Sequence, residues 1–514
     1  MGVRINQVTV NNFLTKTTNE VWASQSYWSP IVTLFVLMLL LIPPHGVLTA
    51  NEQLYFSLAG SNLTEHPFSS LSPRPYLVAF NLITEKINDI AGANGGQILG
   101  RIGVAVLYTF ALAALFRRVS LSLVQCTLIV LTFYLMGQEI IGGEWLFGGF
   151  EPKTVAYPLC IFGIAASVNR QYVRSVTLFA GATYIHFLVG GIWFGLVVVQ
   201  WLLQRVSPRL ILRNCVQYLV LALPLLWILV SAYAGGLQEP SPDSGESAGK
   251  IFKYARNPHH TAPFASIWQF KQWSAGILAL PMLAFSSFLI GARTKGPLQD
   301  IAYLAGIATV FLMTALPISA LDREGVLAPF FLFRPGSLAL LLWTMAVITY
   351  VSSQFTLEVK KLFVVLTLAV AAITAPSLLE RVVFPIVDKA KIASDRSELF
   401  DYVKNSGSES VFVIDPEIEE ELLDLELETG RPTLVLRKFF GNSKSRIIEW
   451  NKRMRFREKL VSTPCDPQSW LDYPASHIVF AKDKQLDPDC GTLVPLGVYS
   501  VLSRRNPATN TDTH

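Results

Sequence analysis

The chain has 514 residues, of which 51% are hydrophobic and 15% charged, and its formal net charge is +5. Its apolar residues gather in stretches near twenty residues that almost lack charge, too long and too numerous for a soluble core, so a polytopic α-helical membrane protein is expected. The small positive excess lies in loops beside those stretches, where it reports topology, and it leaves a nucleic-acid-binding reading without support.

In chain order, the pattern predicts about eleven spans, near 31–49, 97–116, 121–141, 153–169, 173–188, 190–204, 214–234, 270–291, 299–318, 335–352 and 361–379. The fifth and sixth come from one apolar stretch, 173–204, too long for one crossing and short for two; Gly190-Gly191 is the expected break. Arg4 and Lys16 precede the first span, but Pro43-Pro44 and Leu48-Thr49-Ala50 make a poor cleavage site, so it reads as a retained helix. Residues 1–386 are thus expected to form a transmembrane helical domain with a long first outer loop at 50–96.

Arg117-Arg118, Arg170 with Arg174, Arg205 with Arg209 and Arg213, Arg293 with Lys295, and Lys360-Lys361 fall in every second loop. The positive-inside rule makes those loops cytoplasmic. The alternate loops carry mixed charge. With an odd number of crossings the N terminus is inside and the tail outside; with one crossing fewer the tail is cytoplasmic.

The outer loops hold the candidates for chemistry. Glu52 follows the first helix, where a carboxylate is placed either to accept a proton from a hydroxyl or merely to cap or solvate the end of that helix. Asn62-Leu63-Thr64 in the same loop matches a glycosylation sequon. The second outer loop, Gly142 to Lys153, combines four glycines, Trp145, Phe150, Glu144, Glu151 and Lys153. That mixture suits close approach of backbone to a ligand, or a tight turn whose glycines serve helix packing. His186, at the outer end of its helix, requires a partner or water, as a ligand-binding or as a packing histidine. His259 and His260 are adjacent and point apart on most backbones, which disfavours metal binding, and no HExxH or paired CxxC spacing occurs. Arg334 follows the apolar run Pro329 to Phe333; its fork fits a phosphate, and the same position suits an interface anchor.

From 387 to 514 the composition is that of a soluble α/β domain. Short apolar runs at 410–414, 433–436, 477–481 and 498–502 alternate with amphipathic segments at 418–428 and 445–459. Cys126, Cys160 and Cys215 lie in or beside spans; Cys465 and Cys490 are in the tail, where an oxidising compartment would bridge them and a cytoplasmic one would leave two thiols.

The acidic residue after the first span, the long first outer loop, the outward candidates and the terminal α/β domain together resemble the GT-C superfamily of lipid-phosphate-sugar glycosyltransferases. More closely, Gly149-Phe150-Glu151-Pro152-Lys153 through Tyr157, Thr183 to His186 with Gly190, Asn257-Pro258-His259-His260 and Phe333-Arg334 look like motifs of an uncharacterised bacterial multispan family with GT-C-like architecture. Thr429-Gly430-Arg431-Pro432, Lys438 and Glu449 to Arg453 look like its C-terminal pattern.

The resemblance implies an inner-membrane protein with a polyprenyl-phosphate sugar donor, membrane-lipid contacts, an extracytoplasmic active site and Glu52 in the acidic position. It leaves divalent-metal dependence open. Many GT-C enzymes have two acidic residues there, whereas this chain has Asn51-Glu52. Two other classes stand beside this one: an envelope-assembly protein that docks its partner through the C-terminal domain, and a transporter of a lipid-linked saccharide.

Overall fold

The computed structural model describes residues 28–44, 48–60, 77–237, 247–354, 396–439, 443–482 and 490–504, with single residues 66, 69, 74, 484 and 486. The eleventh expected span, the sequon and Lys360-Lys361 lie outside the described residues. The described chain divides into two compact units. The first holds 28–44, 99–227 and 253–354; the second holds 48–60, 77–98, 228–237, 247–252 and 396–504. The second unit therefore reaches well beyond the tail.

Among the described residues, five helices are long and apolar enough to cross a membrane: α3 (Val78–Arg118), α8 (Pro208–Leu237, apolar to Ser231), α9 (Ile267–Arg293), α10 (Pro297–Leu321) and α11 (Gly336–Gln354). Apolar side chains stay exposed along them, among them Leu223 and Trp227 on α8 and Leu278, Met282 and Phe285 on α9. Such surfaces are stable only against lipid, since a soluble protein rarely exposes contiguous apolar patches of that kind. The chain is an integral membrane protein. Four further apolar helices are shorter: α1 (Trp28–Leu41), α4 (Leu123–Leu135), α5 (Pro152–Val168) and α7 (Phe187–Leu203).

Three expected boundaries are corrected. The stretch 50–96 is not simply a loop: it carries α2 (Ala50–Gly60) and the first part of α3, whose 41 residues are interrupted at Gly92 (φ 66°, ψ 178°). The stretch 173–204 does form two helices, α6 (Tyr172–Ile185) and α7, but the break falls at His186 (φ −148°, ψ 100°). Gly190 is helical and serves packing, because a Cβ there would collide with the backbone of Thr183. The span expected at 121–141 yields only the 13 residues of α4, begun by a Ser122–Gln125 capping box and ended before Gly137, whose φ is 81°.

In the second unit, a four-stranded sheet runs in the order β1-β2-β4-β3, built from β1 (Phe412–Ile414), β2 (His477–Ala481), β3 (Thr492–Leu496) and β4 (Tyr499–Ser503). β1 pairs parallel to β2, and the other pairs are antiparallel. The run 433–436 makes only one isolated bridge, from Thr433 to Phe412. Helix α14 (Lys444–Ser462) buries Ile447, Trp450, Phe456 and Leu460, while the 418–428 segment yields a single turn at Glu419–Glu421 and α13 (Leu425–Thr429) after α12 (Ser397–Asn405). Leu54 of α2 joins the apolar core under the sheet with Phe412, Leu436 and Val501. Cys465 and Cys490 are joined as a disulfide, with Cα atoms 4.3 Å apart.

Candidate functional site

In the first unit, the loop 136–151 between α4 and α5 carries most of the charged candidates. Its backbone winds through left-handed conformations at Gly137 (φ 81°), Gln138 (φ 63°), Gly142 (φ 91°) and Gly143 (φ 65°). Gln138 braces that coil: its Oε1 accepts from the amides of Leu146 (3.2 Å) and Phe147 (2.6 Å), and its Nε2 donates to the Phe147 carbonyl (3.0 Å). Tyr108 donates to the Leu146 carbonyl at 3.0 Å. Glycine is needed at 142 on two grounds, the positive φ and a Cβ that would lie 2.7 Å from the Cβ of Phe333. The loop closes at Glu151, which caps α5, where Thr154 Oγ1 accepts from the Glu151 amide at 3.0 Å and Pro152 occupies the first turn.

Glu144 is buried at the middle of this coil. Lys153 Nζ lies 3.3 Å from its Oε2 and 3.9 Å from Glu151 Oε2, and sits 4.0 Å above the Trp145 ring. Arg334 approaches from the turn that begins α11, which is set by the left-handed Phe331 (φ 44°) and by the Tyr157 hydroxyl donating to the Arg334 carbonyl at 2.8 Å. Its Nε lies 3.8 Å from Glu144 Oε1, an ion pair too long for a hydrogen bond, and Nε has no acceptor among the described residues. The guanidinium stacks 4.5 Å from the Phe331 ring and stays 14% exposed.

His186, in the break between α6 and α7, meets Arg334 Nη1 through its Nε2 at 3.0 Å. The guanidinium can only donate, so Nε2 accepts. The Val189 amide is directed at Nδ1 from 3.4 Å. An imidazolium has no acceptor and a neutral ring has one, so the Arg334 contact calls for an uncharged ring protonated at Nδ1, which then does not accept from the Val189 amide. His260 reaches the same loop from the short helical turn Pro258–Thr261. Its Nδ1 lies 2.5 Å from the Gly142 carbonyl, which can only accept, so Nδ1 carries the proton. His259 packs against His260 with ring centroids 4.0 Å apart and planes tilted by 46°.

Burial pushes the Glu144 carboxyl up, but the charges of Arg334 and Lys153 prevail and hold it at about 2. Gly142, Gly143 and Phe331 enclose the His260 ring although part of the residue is exposed, and burial pushes it down to about 3 against the attraction of Glu144. Glu144 is therefore a fixed anion that orients two cations. It is too acidic to serve as a proton acceptor near neutral pH.

The structure thus brings Glu144, Glu151, Lys153, His186, His260 and Arg334 into one cluster, with His259 beside it. Glu52 belongs to the other unit. It is buried, and its Oε2 accepts from the Thr49 amide at 2.8 Å while Thr49 Oγ1 faces the Glu52 amide at 3.4 Å, so it supplies the acidic half of a capping box. Sequence reading missed Gln138 and Glu139, which fall inside the apolar window of the third span. Glu139 is exposed, yet the protein packed around its carboxyl raises it above the ordinary value, while the amides of Gly143 and Glu144 oppose that shift. Gly137 before this pair and Gly142-Gly143 after it were the available signal. Among the described residues, no three His, Cys, Asp or Glu side chains are grouped to hold a metal ion.

No protein-family model matches the chain, and no curated protein is similar to it.

Proposed function

We propose that the protein is a GT-C-like glycosyltransferase of about eleven spans, embedded in a bacterial inner membrane, that transfers a sugar from a polyprenyl-phosphate donor on the extracytoplasmic face. In this reading the N terminus is cytoplasmic and the disulfide-closed tail is outside. The observation that carries the proposal is the convergence of Arg334 and Lys153 on Glu144 in a glycine-rich loop, with the Arg334 Nε lacking an acceptor among the described residues. A half-buried guanidinium with unused donor capacity, oriented by a fixed carboxylate and an uncharged imidazole, suits a phosphate oxygen.

In the reaction, the acceptor hydroxyl oxygen bonds to the anomeric carbon as the carbon–oxygen bond to the lipid phosphate breaks. The departing phosphate keeps that electron pair, and its growing charge is met by Arg334 and Lys153. The hydroxyl proton passes to Glu139, the carboxylate at the cluster whose affinity for a proton is raised.

Transfer from a panel of polyprenyl-phosphate sugars, assayed with reconstituted protein, tests this. Glu139→Gln is expected to slow turnover by about a hundredfold to ten-thousandfold. No transfer from any donor, with the folded protein still retaining an envelope partner through its tail, would favour the assembly reading.

A further inference from the structure

Beside the charge cluster, two segments expose bulky apolar side chains without belonging to the flank of a helix bundle. Phe264, Ile267 and Trp268, at the start of α9, are 51%, 73% and 60% exposed. Val326 and Phe330, in the turn between α10 and α11, are 69% and 48% exposed. Both segments are held firmly. Ser319 Oγ donates to the Thr261 carbonyl at 2.5 Å, and the buried Lys253 Nζ donates to the carbonyls of Ser319 (2.5 Å) and Asp322 (2.7 Å). The Asp322 carboxylate in turn accepts from the amides of Val326 (2.8 Å) and Leu327 (2.9 Å). These hydrogen bonds brace both ledges.

Two features say what covers them. Ile267 lies on the same face of α9 as Leu278 and Phe285, eleven and eighteen residues further on, so the ledge continues the surface that faces lipid. The exposed Lys271 and Arg323 flank it, as cations do at the headgroup level. On its other side the ledge meets the cluster: Phe331, next to Phe330, has its ring 5.8 Å from that of His260 and 4.5 Å from the Arg334 guanidinium.

We infer that this ledge lies in the bilayer interface and seats the hydrocarbon chain of a phosphate-bearing lipid whose headgroup is held at Arg334. The inference rests on the phosphate reading of the cluster and does not require sugar transfer. The lipid reaches the cations sideways from its own leaflet, so its chain stays out of water throughout. Aromatic side chains at the interface supply apolar area with little loss of conformational freedom.

The test uses the full chain in phosphatidylcholine vesicles, with nitroxide labels placed singly at 268 and 330 after Cys126, Cys160 and Cys215 are replaced by alanine. Both labels should collide more with oxygen than with a water-soluble nickel chelate. A label at Glu458, exposed on α14, should show the reverse. Preference of the 268 and 330 labels for the nickel chelate would overturn the placement. Polyprenyl phosphate should slow the motion of both labels and inorganic phosphate should not, with the effect lost in Arg334→Gln. Labels that respond to neither compound, or equally in Arg334→Gln, would overturn chain seating. A response to polyprenyl phosphate in a protein that transfers no sugar would sustain the ledge and refute the glycosyltransferase.

Discussion

Two sets of buried carboxylates in this molecule are treated in opposite ways. In the second unit they are saturated. Glu426 Oε1 accepts from the Thr433 amide (2.7 Å) and hydroxyl (2.6 Å), while Oε2 accepts from Ser69 (2.9 Å); Glu419 takes the Arg457 guanidinium and the Arg437 amide. In the first unit, Glu144 holds Lys153 at 3.3 Å and Arg334 at 3.8 Å, and the guanidinium is left with an unused donor. The Arg457 Nε also lacks an acceptor among the described residues, but that side chain is sealed at 2% exposure, whereas Arg334, at 14%, can still meet a ligand. The difference separates residues that hold the fold from residues offered to a ligand.

The largest effect is expected where the saturated network is broken. Arg457→Ala leaves Glu419 buried without its cation and should destabilise the tail by about 3–5 kcal/mol, read as faster limited proteolysis after α14, while ligand binding at Arg334 persists. If both were lost together, the two sets would not be independent. Reduction of Cys465–Cys490, whose loop spans 25 residues, should lower the stability of the same domain by about 3 kcal/mol in thermal unfolding, again sparing the cluster.

Gly142→Ala addresses the other side. Its positive φ and the approach of Phe333 should cost about 1–3 kcal/mol, and the displaced turn should weaken binding at Arg334 without opening the tail. The smallest effect is a dependence on acidity. Glu144 is held below its ordinary 4.5, so the stability it contributes is complete above that value and is lost as pH falls towards about 2. His260 stays uncharged in the fold while the unfolded ring titrates near 6.5, so its contribution is complete above 6.5 and declines as pH falls towards 3. Substituting His260 by Gln should flatten the upper window, seen by unfolding at a series of pH values.

Much of the cluster was legible because charge in a loop beside apolar spans is conspicuous: Glu151, Lys153, His260 and Arg334 stand out by their surroundings alone. Other parts were hidden for identifiable reasons. Gly190-Gly191 resembles a helix break, but Gly190 exists to admit Thr183, and the actual break at His186 depends on the ring's tertiary contact with Arg334. Glu139 was concealed by the hydropathy of the residues before it. Glu52 offered two roles, and the Thr49 partner that makes it a cap is polar, small and easily passed over. Leu434 to Leu436 are apolar and buried, yet they pack without strand pairing beyond the Thr433 bridge, a distinction periodicity does not carry.

The central claim is that Arg334 and Lys153 are held by Glu144 for an anionic lipid headgroup. Titration of polyprenyl phosphate into reconstituted protein, followed by the fluorescence of Trp145 beside Lys153, with a Trp145→Phe variant to identify that signal, tests it most directly. The account predicts saturable binding that is weakened about tenfold in Arg334→Lys, which keeps the charge and loses the fork, and is unchanged in Arg457→Ala. Equal binding by wild type and Arg334→Lys, or no binding by either, would contradict it.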